Sequence, residues 1–146
     1  MLRSILGVIV GYAALSLFFF ATFTGVYFAL GIERIFQPDS YEVSALWLVL
    51  SAAISLGGSI LGGYVCAAIS RNKRTCELFA AIVLIILVIF CIPKIRDRTP
   101  HWRAGDVSFV DAMQLTQMPL WMHVLNPVLG AVGVLLGARM KKLPAT

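Results

Sequence analysis

Four long apolar stretches, 5–32, 43–69, 78–92 and 119–138, leave this chain little choice of solvent. About 20 apolar residues in a helix cross the hydrocarbon of a typical bilayer, so the first, second and fourth are long enough unaided. The third is shorter, but a helix over 76–95 spans if Glu77 and Lys94 reach outward to the two interfaces. Composition agrees. Apolar residues make up 60% of the 146 and charged residues only 13%, against about a quarter charged in a soluble domain; mean hydropathy is +0.89. A chain inside lipid must satisfy its backbone internally, and helices do so within one segment. The expected fold is therefore an all-α membrane protein, one domain over 1–146, built as a four-transmembrane-helix bundle with spans at about 5–32, 43–69, 76–95 and 119–138.

The first stretch imitates a secretory leader, with Arg3 ahead of an apolar run. It exceeds the usual leader core of about 7–15 residues, and no small-x-small cleavage site follows before Glu33, so it reads as a retained span. Its aromatic cluster (Phe18, Phe19, Phe20, Phe23, Tyr27 and Phe28) is expected to face lipid. Basic residues near helix ends set orientation. Arg3, the Arg71, Lys73 and Arg74 turn, and the Arg139, Lys141 and Lys142 tail fall on one side; Arg34, Lys94, Arg96, Arg98 and Arg103 fall on the other. The denser clusters place the N- and C-termini in the cytoplasm. The net charge of +5 is then a topology signal and a contact for anionic lipid headgroups, with no nucleic-acid partner.

The loops carry local signals. Asp39 or Ser40 is placed to cap the second span, with Glu42 three residues after Asp39 as in a capping box. The outer loop, 96–118, begins irregularly. From Asp106 it turns to good helix formers, with Phe109 and Met113 on one stripe, which predicts a short outer interfacial helix acting as a lid. Trp102 and Trp121 are expected near headgroup level.

Small residues recur on three of the four spans. Gly7, Gly11, Ala14, Ala21, Gly25 and Ala29 share one side of the first; Ser44, Ser51, Ser55, Gly58, Ser59, Gly62 and Cys66 share a face of the second. The fourth carries Pro119, His123, Asn126, Gly130, Gly133 and Gly137 on one quarter of its circumference, with Val124, Val128, Leu129, Val132, Leu135 and Leu136 opposite. Lipid gives no hydrophobic drive between helices, so close backbone approach supplies the packing contacts. Gly7, Gly11, Gly58, Gly62, Gly130, Gly133 and Gly137 are the expected packing residues. The third span has almost nothing small beyond Ala80 and Ala81 and is expected to sit at the periphery.

Chemistry is sparse. The span interiors hold no Asp, Glu, Lys or Arg, and Ser51, Ser55 and Ser59 have no adjacent base, which argues against catalysis. Small multidrug exporters carry a glutamate in the first helix, and 5–32 has none. Cys66, Cys76 and Cys91 form no CxxC pair and read as free thiols. His123 is the one ionisable side chain within a span, with Asn126 three residues on and Pro127 withdrawing the helical donor from the His123 carbonyl. His123 and Asn126 can hydrogen-bond to a neighbouring element, bind a ligand or ion, or take a cofactor, with His123 as axial ligand of a haem or pigment. No cofactor is required by the sequence.

The stretch from Gly62 to Arg71 ending the second span, with Leu136 to Arg139 ending the fourth, resembles small four-span bacterial membrane proteins of unknown function. The resemblance implies a bacterial inner-membrane location and no activity. Two function classes remain. One is a non-catalytic accessory or structural subunit of a larger membrane complex, such as an energy-transducing or photosynthetic one, with other integral membrane subunits and lipids as partners. The alternative is a small homo-oligomeric channel or transporter.

Overall fold

The computed structural model describes residues 1–96 and 115–141. Its helices are α1 (Leu2–Leu30), α2 (Ile32–Ile35), α3 (Ala45–Ser70), α4 (Lys73–Arg96) and α5 (Leu120–Met140). Four of them, all but the single turn α2, are long and apolar enough to cross a membrane. The expected outer helix from Asp106, with Phe109, Met113 and Trp102, falls mainly on 97–114 and lies outside the described residues.

α3 is the spine. It packs along α1 on one side and along α5 on the other, and the backbones of α1 and α5 do not approach each other closely among the described residues. The reason is written in adjacent glycines. A Cβ on Gly62 would meet Leu15 and the Gly11 carbonyl of α1, whereas one on Gly63 would run into the Val134 backbone of α5. Neighbouring residues on a helix point about 100° apart, so the pair serves two partners. The face read from the sequence as one stripe therefore divides, with Gly58, Gly62 and Cys66 toward α1 and Ser59 toward α5; Ser70 joins the first side and Gly63 the second.

The third span is not peripheral. Thr75, Cys76, Phe79, Ala80 and Val83 of α4 are buried, and they join Leu15, Cys66, Ala67, Val134 and Ala138 in the main core. The expectation failed because α4 supplies the bulk that fits glycine gaps elsewhere. Leu87 and Val83 fill the space that a Gly130 side chain would occupy, and Phe79 lies 3.3 Å from the Cβ position of Gly11. Its outer half, with Ile89 and Phe90, does face outward.

The aromatic cluster of α1 is also corrected. Only Phe20 and Phe28 stand clearly outward, at 65% and 73% exposure. Phe18 and Phe19 rest against Gly58, Phe23 meets Trp47 with ring centroids 5.6 Å apart, and Tyr27 is buried. Glycines bring α1 and α3 into backbone contact at the end carrying the termini; rings fill the gap toward the other end. The small residues Ala21, Gly25 and Ala29 accordingly point away from the bundle, and nothing lies within 4 Å of a Cβ built on Gly25.

A second core closes that other end. Ile35, Phe36, Tyr41 and Val43 fold over Tyr27 and Trp47, with Leu115 and Met118 packed beside them. Short bridges join Phe36 to Val43 and Glu42 to Gln117. The Gln117 N–H donates to the Tyr41 carbonyl at 2.9 Å, and the Val43 N–H to the Gln117 carbonyl at 3.2 Å. The capping box at Asp39 and Glu42 does not form. Asp39 adopts a left-handed φ of 56° inside a turn, and α3 is capped by Ser44, whose Oγ accepts from the Trp47 N–H at 3.2 Å. The same hydroxyl donates to the Arg34 carbonyl at 2.6 Å, tying the cap to α2.

Candidate functional site

The seams come first, because they fix where everything polar can sit. At the α1–α3 seam a Cβ on Gly7 would lie 3.0 Å from Ser70 Cβ and 3.1 Å from the Cys66 carbonyl oxygen, while Gly11 and Gly62 face each other's carbonyls. Gly58 accepts the rings of Phe18 and Phe19. At the α3–α5 seam Gly133 meets Ser59 and the Leu56 carbonyl, and Gly137 abuts the Ile60 carbonyl. Gly130 faces α4 through Leu87, with Ser59 Oγ 3.8 Å from its Cβ position. Partner numbers rise together along α3 and α5, so these two helices run parallel. Gly7, Gly11, Gly58, Gly62, Gly130, Gly133 and Gly137 are all buried.

Gly63 belongs with them and was not among the residues picked from the sequence. Its signal was present in the Gly62-Gly63 pair, since two consecutive glycines with a small residue four before each describe two seams.

His123 and Asn126 occupy the first turns of α5, both half-buried. Pro127 is buried within the helix and has no N–H, so it donates nothing to the His123 carbonyl. Asn126 Oδ1 is buried and has no hydrogen-bond partner among the described residues; the same holds for Ser59 Oγ. Buried polar atoms left without a partner within a span cost about 1–3 kcal/mol each, and Thr24 Oγ1 of α1 is another among the described residues. Among the described residues no cluster of three or more His, Cys, Asp or Glu side chains could hold a metal. His101, the other histidine, lies outside the described residues.

Cys66 and Cys76 are brought together at the end carrying the termini, both buried and both free. The Cys76 thiol donates to the Asn72 carbonyl at 3.4 Å, and the Ser70 hydroxyl lies 3.9 Å from its sulfur. Cys91 sits apart in the outer half of α4, half-buried.

These elements define a multi-pass membrane protein, an all-helical bundle whose interior is closed by glycine seams. No known protein family, curated protein or solved structure matches the chain.

Proposed function

We propose that this protein is a non-catalytic accessory subunit of a larger membrane protein complex in a bacterial inner membrane, with both termini cytoplasmic. The observation that carries the reading is the outer half of α1. Ala21, Gly25 and Ala29 recur every four residues and are exposed, and none of them is covered by a helix among the described residues. Small residues at that spacing admit the close approach of another membrane helix. The absence of charged residues from the span interiors fits a subunit that packs rather than reacts. An energy-transducing or photosynthetic complex is the kind of assembly that uses such subunits, and the chain's kinship would lie with small four-span bacterial membrane proteins.

The test is gentle solubilisation followed by native mass measurement. Co-migration with unrelated membrane chains, lost in Gly25→Leu while the bundle stays folded, is the expected result. The second reading, a small homo-oligomeric channel or transporter, draws on the unpartnered Asn126 and Ser59 acceptors in the membrane interior. A homodimer that moves solute in liposomes, and stops doing so with His123→Ala, would replace the accessory reading. An absorption band in the visible, removed by the same substitution, would establish His123 as a haem or pigment ligand.

A further inference from the structure

At the end carrying the termini, α4 and α5 part to leave a cleft of about 320 Å³ lined by Lys73, Cys76, Glu77, Leu135, Ala138, Arg139 and Lys141. Its charge is lopsided. Lys73, Arg139 and Lys141 bring three cations from two helices, and Glu77 is the one anion among the lining residues. Glu77 is only loosely engaged, with Lys73 Nζ 3.8 Å from its carboxylate and both side chains mostly in solvent. Lys141 Nζ lies 5.8 Å from the centroid of the Tyr64 ring, which holds that ammonium beside α3. The first turn of α4 and the last turns of α5 both border the cleft, so their opposite dipole ends offset and the basic side chains set the field.

One wall is apolar. Leu135 leads down to the exposed side chains of Val132 and Val128, one and two turns deeper in the span on the same face. A cationic rim directly above an apolar wall, at the end of two membrane helices, matches a molecule that is anionic at one end and hydrocarbon at the other. We infer that this cleft binds the phosphate headgroup of an anionic phospholipid, with its acyl chains running along Leu135 toward Val132 and Val128. Free phosphate would satisfy the cations but leave the apolar wall unused. A zwitterionic lipid would bring its own ammonium against Lys73 and Arg139.

The experiment uses the full chain in nanodiscs of phosphatidylcholine with a titrated fraction of phosphatidylglycerol, reading retained lipid by native mass spectrometry after mild delipidation. The wild type should retain phosphatidylglycerol in preference to phosphatidylcholine. The K73Q/R139Q/K141Q variant should lose about tenfold or more of that preference, since each basic side chain near a membrane surface contributes on the order of fivefold. The R3Q/R71Q/R74Q variant removes equal charge from the same end but outside the cleft, so it gives up only the general surface attraction and should lose several-fold less of the preference than the cleft variant. Glu77→Gln should strengthen it, a gain that damage to the fold would not produce. Equal loss in both triple variants would reduce the effect to general surface charge and overturn the site, as would no loss in the cleft variant. Inorganic phosphate alone displacing the lipid at millimolar concentration would overturn the lipid assignment.

Discussion

Gly11 of α1 and Gly62 of α3 stand face to face across their seam. A Cβ on either one would lie 2.9 Å from the carbonyl oxygen of the other. The approach is reciprocal, so each backbone packs on the other with no side chain between them, and dispersion from that contact replaces the hydrophobic drive that lipid removes.

Gly62→Ala would push a methyl into both the Gly11 carbonyl and Leu15 Cβ, each 2.9 Å away. Overpacking of this kind costs about 1–3 kcal/mol, and thermal unfolding in detergent should fall accordingly. Gly25→Ala is the matched control. Its Cβ meets nothing within 4 Å, so only the helix-propensity gain of up to about 1 kcal/mol remains, and the variant should be as stable as the wild type or slightly more so.

Gly63→Ala should be worse than Gly62→Ala. The new methyl would strike the Val134 backbone, and Gly137→Ala would strike the Ile60 carbonyl in the same way. Backbone cannot swing aside as a leucine can, so α5 must move off α3 along its length. Cysteine pairs engineered across α3 and α5 should lose their cross-linking in both variants, while pairs across α1 and α3 keep theirs. Retained α3–α5 cross-linking in Gly63→Ala would show that the seam is looser than described.

Phe79→Ala and Phe90→Ala test the role of α4. Phe79 is fully buried and Phe90 is 69% exposed. Emptying a buried phenylalanine site costs roughly 3–5 kcal/mol in water-soluble cores, and somewhat less here because lipid solvates the side chain in the separated state. Phe90→Ala should shift the melting temperature little. Equal effects would return α4 to the periphery.

Two serines should behave in opposite ways. Ser44→Ala removes the cap of α3 and the donor to the Arg34 carbonyl, a loss of about 0.5–2 kcal/mol. Ser59→Ala removes a buried hydroxyl that has no partner among the described residues. It should be neutral or stabilising, since no hydrogen bond is broken and a desolvated polar group disappears. A melting temperature lowered by Ser59→Ala would mean that Oγ is satisfied by a bound water or ligand.

How much of this was legible in the sequence depends on how local the determinant is. Spanning needs only length and hydropathy, so the four long helices were readable from composition along the chain. Asp39 and Glu42 imitate a capping box, but Ser44 wins because it alone can reach the Trp47 N–H and the Arg34 carbonyl together. The role of Phe79 could not be read, because a large side chain is lipid-facing or interior depending on whether a glycine on another helix makes room for it. The face containing Gly58, Ser59 and Gly62 looked single for the same reason: a helical wheel records angles and not the number of neighbours. In the first turns of α5, His123 and Asn126 were visible as residue types, whereas the buried state of Asn126 Oδ1, with no partner among the described residues, emerges only from packing.

The double-sided spine also sets an order of events during synthesis. The α1–α3 seam can close as soon as α3 has entered the bilayer, since both of its helices precede residue 71. The Gly63 side must wait for Val134, roughly 70 residues later, an interval on the order of 4–14 s at about 5–20 residues per second. For those seconds a nascent hairpin carries an open glycine groove with its own partner still unmade, and any chaperone or insertase that shields small-residue grooves would have its substrate there.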